Sequence, residues 1–271
     1  MRRNVILIVV LLLLTGSAWA ATRTWSGNSD FNWDNPLNWD TLPGGGDDVV
    51  IPTGRPRYPS VGVDGSYLSL SIATGATVTM TGDFTFSGSV TITGTGVLNV
   101  GAYALSAGSI GGTGTLNGNT GTVTVSGNMT VASYAATTGT TRLGGTFTTA
   151  AFTSNTGRVI FNGVAAQAIN TAYTFYDLEI DNAAGVSTSA AVTVLATNSI
   201  TVNAGALYTV GGAGNTTLRS DGILSNSGTI SIVSTAGGVS CIVRADGASI
   251  TNSGTINLSA SAVGATAMLR G

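Results

Sequence analysis

Short segments in which hydrophobic and polar residues alternate fill most of the chain after residue 60. Alternation at period two is typical of short β-strands that bury one face. The clearest segments are 77–81, 90–93, 122–125, 158–161, 177–180, 199–202 and 229–232. Gly, Asn and Asp interrupt them every few positions, as turns between strands require. Since no helical periodicity follows residue 20, the pattern predicts an all-β fold.

One phrase of this pattern repeats. Asn-Ser-Gly-Thr-Ile occurs at 226–230 and again at 252–256. Looser forms begin at Asn182 and Asn203, so that the asparagine recurs at positions 182, 203, 226 and 252. Repetition at this period indicates stacked structural units. We therefore expect one coil per repeat and a ladder of stacked asparagine side chains.

Two architectures fit many short strands. A parallel β-helix, or β-solenoid, explains the repeat, whereas an antiparallel β-sandwich would explain the Asp-Gly and Asn-Gly pairs that often form hairpin turns. The pairs Asp221-Gly222 and Asp246-Gly247 lie about one repeat length apart and so follow the repeat. This spacing favours the β-solenoid, with roughly nine coils of about 20–26 residues between Ser60 and Gly271.

The start of the chain has the parts of a secretory signal peptide. Arg2 and Arg3 precede an apolar run, 5–14, and Ala18-Trp19-Ala20 supplies the small residues that signal peptidase requires. This run is too short for a bilayer, which needs about 20 apolar residues. We expect a signal peptide over 1–20 with cleavage after Ala20, no transmembrane anchor, and a protein that is secreted or held at a bacterial cell surface.

Composition divides the rest of the chain. Residues 21–59 are rich in Trp, Pro and Gly and are predicted to form an N-terminal cap. Residues 60–271 are predicted to form the β-helix repeats. Because no polar cap or helix follows the last repeat, we expect the C-terminal end to be uncapped or continued by further coils.

Charge is sparse in this chain. Charged residues make up 8% of it, against roughly 25% in ordinary soluble proteins. Without residues 1–20 it holds 8 basic and 12 acidic residues, a net charge of 8 − 12 = −4. This balance argues against nucleic acid as a partner. The chain also has no histidine, which excludes Ser-His and Cys-His catalysis.

Two stretches carry a resemblance to known proteins. The first runs through Thr-Trp-Ser-Gly at 24–27, Phe-Asn-Trp at 31–33, Leu-Asn-Trp at 37–39 and Gly-Asp-Asp-Val-Val-Ile-Pro at 46–52. It resembles the N-terminal part of adhesin-like or autotransporter-like bacterial surface proteins, in which a Trp-rich opening leads into a right-handed parallel β-helix. The second, 159–182, is similar to a recurring coil of those proteins. The resemblance implies an exported, extended stalk or adhesive shaft. For such a shaft, glycans, other surface proteins or further copies of the chain are the candidate partners.

Candidate binding residues fall into two groups. Trp25, Trp33 and Trp39 could form an aromatic platform for sugar rings, or could plug the first coil of the solenoid. Asp177, Glu179 and Asp181 share one face if their segment is a strand, and Arg158 would lie one coil below. Such a cluster could serve a polysaccharide lyase or hydrolase, which is the alternative to a non-enzymatic shaft. A solvated polar face is the simpler interpretation.

The sequence gives weaker support for a calcium site, a reactive cysteine or an ice-binding face. Asp47 and Asp48 could offer oxygen ligands to Ca²⁺, but their spacing matches no defined calcium loop, so no metal and no cofactor is predicted. Cys241 is the single cysteine and is expected to be buried. Thr-x-Thr pairs at 77/79, 91/93, 122/124 and 146/148 raise ice binding as a minor alternative, although their spacing is irregular.

Overall fold

The protein folds as a parallel β-solenoid of about nine turns, in a computed structural model that describes residues 20–60, 62, 64–189, 191–247 and 249–271. The predicted signal peptide lies outside the described residues except for Ala20. All strand ladders among the described residues are parallel, and the isolated antiparallel bridge is between Trp25 and Trp39. The prediction of a β-solenoid is therefore confirmed, and the antiparallel sandwich is wrong.

The strands follow one another with short turns between them, and the single 3-10 helix of the described residues spans Pro36–Asn38. In chain order the strands are β1 Thr22–Thr24, β2 Asp48–Ile51, β3 Gly65–Tyr67, β4 Ser69–Ile72, β5 Thr77–Thr79, β6 Phe84–Ile92, β7 Val97–Asn99, β8 Ala104–Asn117, β9 Thr122–Val125, β10 Met129–Ala135, β11 Thr140–Leu143, β12 Phe147–Thr153, β13 Arg158–Phe161, β14 Gln167–Ala168, β15 Thr174–Ile180, β16 Val186–Thr188, β17 Thr193–Val202, β18 Leu207–Gly212, β19 Thr216–Ser220, β20 Ile223–Asn226, β21 Thr229–Ser234, β22 Ser240–Ala245, β23 Ile250–Asn252, β24 Thr255–Ala260 and β25 Thr266–Arg270.

Alternation decides which side chains form the core. In strands such as β19 and β21, every second residue is buried and its neighbours point outward. The inward positions carry mostly Val, Ile, Leu and Phe, which form one hydrophobic core along the solenoid. Burial of these side chains provides most of the stabilisation, at roughly 25 cal/mol per Å² of apolar surface removed from water.

One strand position runs through the solenoid without interruption, and we call it the continuous face. It passes from β3 through β6, β8, β9, β11, β13, β15, β17 and β20 to β23. The other two strand positions of each coil are interrupted once. β12 pairs with β10, while β14 and the start of β15 begin new ladders with β16 and β17.

We call this interruption, between 147–153 and 167–175, the seam. Within the described residues no strand ladder joins β12 to β14 or to the start of β15. Side chains take over the role of the missing ladder. The Gln167 amide donates to the carbonyl oxygens of Leu143 at 2.8 Å and Gly145 at 2.7 Å. Aromatic rings pack across the seam, with the centroid of Phe147 5.0 Å from that of Tyr173.

Coils become longer toward the C-terminus. Along the continuous face, residues 123 and 141 are in register and 18 apart, residues 177 and 199 are 22 apart, and residues 224 and 250 are 26 apart. The repeat in the sequence predicted longer coils throughout, so the shorter coils of the N-terminal half were missed. They were missed because their turns contain no repeated phrase.

The Asp-Gly pairs of the repeat lie at corners rather than in hairpins. Gly222 and Gly247 both follow the last strand of a coil before the continuous face. A Cβ atom on Gly222 would lie 1.9 Å from the carbonyl oxygen of Asn198, and one on Gly247 would lie 1.7 Å from that of Asp221. Each corner backbone therefore stacks directly on the corner below, and only glycine leaves room for this approach.

The predicted asparagine ladder exists over one step only. Asn226 is in register with Asn252, and its amide donates to the Asn252 side-chain oxygen at 2.7 Å. In the coil below, Val202 occupies the position of Asn226, which leaves Asn203 outside the ladder. The prediction of four stacked asparagines is therefore wrong for Asn182 and Asn203. The turn at 203–206 is two residues longer than that at 227–228, which shifts the register.

Residues 21–59 are continuous with the solenoid. β1 pairs with β2, and β2 pairs with β4, so the predicted cap supplies the first two rungs of a ladder. The rest of this region folds over the end of the core and buries three indole rings. Among the described residues, none lies in a helix long and apolar enough to cross a membrane.

Candidate functional site

The acidic cluster predicted from the sequence lies on the outer side of the continuous face. Asp177 and Glu179 point outward from β15, and Asp181 is exposed just beyond the end of that strand. Arg158 on β13 is in register with Asp177, one coil below, as the sequence suggested. Its guanidinium Nη1 lies 2.9 Å from Oε2 of Glu179, so the ion pair runs diagonally across the face.

The next coil supplies the remaining partners of these carboxylates. Oδ1 of Asp177 accepts hydrogen bonds from the Asn198 amide at 2.8 Å and from the Ser199 hydroxyl. Oε1 of Glu179 accepts a hydrogen bond from the Asn203 amide at 2.8 Å. The cluster thus connects three successive coils. Both carboxylates are held by donors of the protein, whereas a general acid or base needs a carboxyl group that can reach the substrate.

No arrangement suited to a metal ion is found in the part of the chain that the structure describes, where no three or more acidic or cysteine side chains converge. Asp177 and Glu179 meet amides, a hydroxyl group and a guanidinium group instead. These partners brace one coil against another.

A second charged cluster was missed in the sequence. Arg219 and Arg244 are in register on β19 and β22. Arg219 pairs with Asp221 at 2.6 Å and with Asp246 of the next coil at 2.9 Å, and Arg244 pairs with Asp246 at 3.4 Å. A repeated motif in the sequence marks this cluster, since Arg-x-Asp-Gly occurs at 219–222 and again at 244–247. This cluster also joins adjacent coils.

The three indole rings lie inside the cap. Trp25, Trp33 and Trp39 are 0%, 1% and 6% exposed, and the ring of Trp39 packs edge-on against both others at centroid distances of 5.0 and 4.8 Å. Each indole N–H donates within the protein. The acceptors are the carbonyl oxygen of Arg57, the hydroxyl group of Tyr67 and the carbonyl oxygen of Trp33. These rings leave no free face for a sugar and fill the end of the solenoid.

The carboxylates of the cap also have structural partners. Nε of Arg23 donates to Asp47 at 2.8 Å, which holds the pKa of that carboxyl group below its ordinary value, with further help from the Gly44 N–H. Hydrogen bonds from Asn35, Asn32 and Asn38 lower the pKa of Asp30 in the same way. Asp48 accepts a hydrogen bond from the Ser69 hydroxyl group. Asp47 therefore holds parts of the cap together, and Asp48 connects the cap to β4 of the first coils.

The four Thr-x-Thr pairs do not line up. Thr79 lies on β5, Thr91 on β6, Thr124 on the continuous face and Thr148 on β12, so the pairs are spread over three strand positions. A flat row of threonines would need them on one position. Cys241 is buried, as expected, with its sulfur 3.7 Å from the carbonyl oxygen of Gly214.

Comparison of the chain with protein-family models, with curated proteins and with solved structures finds no match in any of the three.

Proposed function

We propose that this protein is an exported structural or adhesive shaft that presents an extended β-solenoid at a bacterial cell surface. The observation that carries the proposal is that outward-facing charged side chains are bonded to neighbouring coils. Asp177 and Glu179 on the continuous face bond to Arg158, Asn198 and Asn203 of the adjacent coils, and Arg219 on β19 pairs with Asp246 of the next coil. Such bonds stiffen a stack of coils, and the parallel ladders give it length at about 4.8 Å per coil.

Two sequence features support export and surface attachment. The signal-peptide pattern of residues 1–20 directs the chain across a membrane. The Trp-rich opening resembles adhesin-like and autotransporter-like surface proteins. Small polar side chains and few charges suit an outer surface that contacts glycans, other surface proteins or further copies of the chain.

A polysaccharide lyase or hydrolase is the second candidate, favoured by the acidic cluster on β15. Its carboxylates would have to exchange their partners Arg158, Asn198 and Asn203 for a substrate. The shaft requires no such exchange.

The test expresses the full chain in a bacterial host and combines three measurements. Fractionation and protease accessibility report surface exposure, binding of displaying cells to immobilised glycans reports adhesion, and product analysis on polysaccharides reports turnover. Surface exposure with adhesion and without turnover supports the shaft. Turnover that Asp177→Ala or Glu179→Ala abolishes would replace it with the enzyme, and Asp246→Ala, which breaks an ion pair between coils in the other cluster, is the matched control. An intracellular protein would contradict both.

A further inference from the structure

The seam opens to the surface as two clefts. One, of about 380 Å³, is lined by 150–153 and 171–174. The other, of about 330 Å³, is lined by 146–148, 166–168, 170–171 and Ser187. Thr171 lines both clefts, so they meet there, and we call the combined depression the seam groove. Ligand sites in proteins have volumes of about 300–1,000 Å³, and the seam groove falls in this range.

The lining of the seam groove is polar but uncharged. Its exposed polar side chains carry hydroxyl and amide groups, which both donate and accept hydrogen bonds, and none of the described residues that line it carries a charge. These polar groups belong to Thr146, Thr148, Thr153, Asn170, Thr171 and Thr174, and the other exposed lining residues are alanines. Phe152 also lines one cleft, and its half-buried ring packs against Phe147 and Tyr173 while part of the ring stays accessible. A sugar ring has matching features, with hydroxyl groups at its edge and an apolar C–H face.

The edge of β12 is poorly suited to pair with an added peptide strand. Such a strand would need the free backbone N–H and C=O groups of the edge. The hydroxyl group of Tyr173 already accepts from the Thr149 N–H at 2.9 Å and donates to the Thr149 carbonyl oxygen at 3.2 Å. The Thr149 hydroxyl donates to the carbonyl oxygen of Ala151 at 2.8 Å. Side-chain groups are therefore the main contacts that the groove offers.

We infer that the seam groove binds a neutral oligosaccharide, whose hydroxyl groups bond to the threonine and asparagine side chains while one ring stacks on Phe152. The inference rests on the proposed adhesive function, since it assigns that function a site and a ligand class. Acidic glycans are disfavoured because the groove has no arginine to neutralise them, and the chain has no lysine.

The test compares two tryptophan variants at exposed threonines. Thr171→Trp fills the point where the clefts meet, and Thr91→Trp places the same ring on an exposed residue of β6, three coils away from the groove. Titration calorimetry of the full chain would use gluco-, xylo- and manno-hexaoses as neutral probes and an oligogalacturonate as an acidic probe. We expect a neutral probe to bind, Thr171→Trp to weaken its binding by about tenfold or more, and Thr91→Trp to leave its binding unchanged. Phe152→Leu should weaken it while preserving the fold.

Several outcomes would overturn the inference. These are no binding of any neutral probe, equal binding by Thr171→Trp and the unaltered protein, preference for the acidic probe, or saturation of the groove by an extended peptide. Surface exposure and adhesion of cells that display Thr171→Trp are measured separately. Retained adhesion with an empty groove would contradict this site alone, whereas loss of surface exposure in the unaltered protein would contradict the shaft.

Discussion

The hydroxyl group of Tyr173 holds both backbone groups of Thr149, accepting from its N–H at 2.9 Å and donating to its carbonyl oxygen at 3.2 Å. Tyr173 and Thr149 are both buried. In an uninterrupted solenoid the backbone of the next coil would make such contacts. One phenol thus replaces part of a strand where β12 loses its ladder.

We expect Tyr173→Phe to destabilise the protein by about 1–3 kcal/mol, because a buried N–H and a buried carbonyl oxygen both lose their partner. Urea unfolding followed by circular dichroism measures the change. Tyr176→Phe, on the same strand region with a partly exposed ring, is the matched control and should be nearly neutral. Equal effects of the two variants would show that the hydroxyl group of Tyr173 does not support the seam.

The asparagine step between coils gives a second prediction. Asn226 is 1% exposed and donates to Asn252 and, at 3.0 Å, to the carbonyl oxygen of Thr255. Asn226→Ala should cost about 1–3 kcal/mol, since it leaves these acceptors unpaired. A double-mutant cycle with Asn252→Ala should show coupling of about 0.5 kcal/mol or more. Strictly additive effects would argue against the ladder.

The glycine corners predict a steric effect. Gly247→Ala places a Cβ atom 1.7 Å from the carbonyl oxygen of Asp221, so the corner must move and the ladder bonds beside it must weaken. Gly111→Ala is the control, because its Cβ atom would meet nothing closer than 3.5 Å. We expect Gly247→Ala to lower the thermal midpoint clearly more than Gly111→Ala. The reverse order would mean that the corners are not closely stacked.

The pKa of Asp47 predicts an acid-sensitive contact in the cap. The hydrogen bond from Arg23 lowers this pKa from 3.8, so the ionised carboxylate stabilises the fold. That contribution is complete at pH values above 3.8 and is lost as the pH falls below it through the folded pKa. Carboxyl ¹³C titration by NMR should place Asp47 below 3.8, and Arg23→Gln should raise its pKa, whereas Arg142→Gln should not. An unchanged pKa in Arg23→Gln would remove this explanation.

The ion pair of the continuous face should contribute little to stability. Arg158 is 54% exposed, and pairs of this kind contribute about 0–1 kcal/mol. Glu179→Gln removes the charge but keeps an oxygen that can accept from Asn203. We expect a loss below about 1 kcal/mol that shrinks at high salt. A loss several times larger would mean that the pair is shielded from solvent.

The repeat and the alternation were sufficient to predict parallel coils, because both are local properties of the sequence. The position of Arg158 below Asp177 was predictable for the same reason. Its pairing with Glu179 was not, since it depends on how far a guanidinium group reaches across a face. The wrong prediction for Asn203 shows a further limit of the sequence pattern. Two additional residues in the turn at 203–206 shift the strand register, although the repeated motif itself is kept.

The seam could not be predicted from the pattern. Residues 158–180 alternate much as other coils do, and β14 is simply shorter. Whether two strands join depends on the path of the backbone between them, which Gln167 and Tyr173 help to fix through bonds to residues of the preceding coil. The Arg-x-Asp-Gly repeat, in contrast, is visible in the sequence and is sufficient to predict the charged cluster of Arg219, Asp221, Arg244 and Asp246.

The continuous face has a mechanical consequence. At the seam only one of the three sides of the rod carries an unbroken ladder, so a sideways load meets the least resistance there. The rod should bend at the seam about the continuous face, so that the two interrupted sides move apart and together. If the chain serves as the proposed shaft, a pulling force would strain this point first, and the strain would reach the side chains that line the gap.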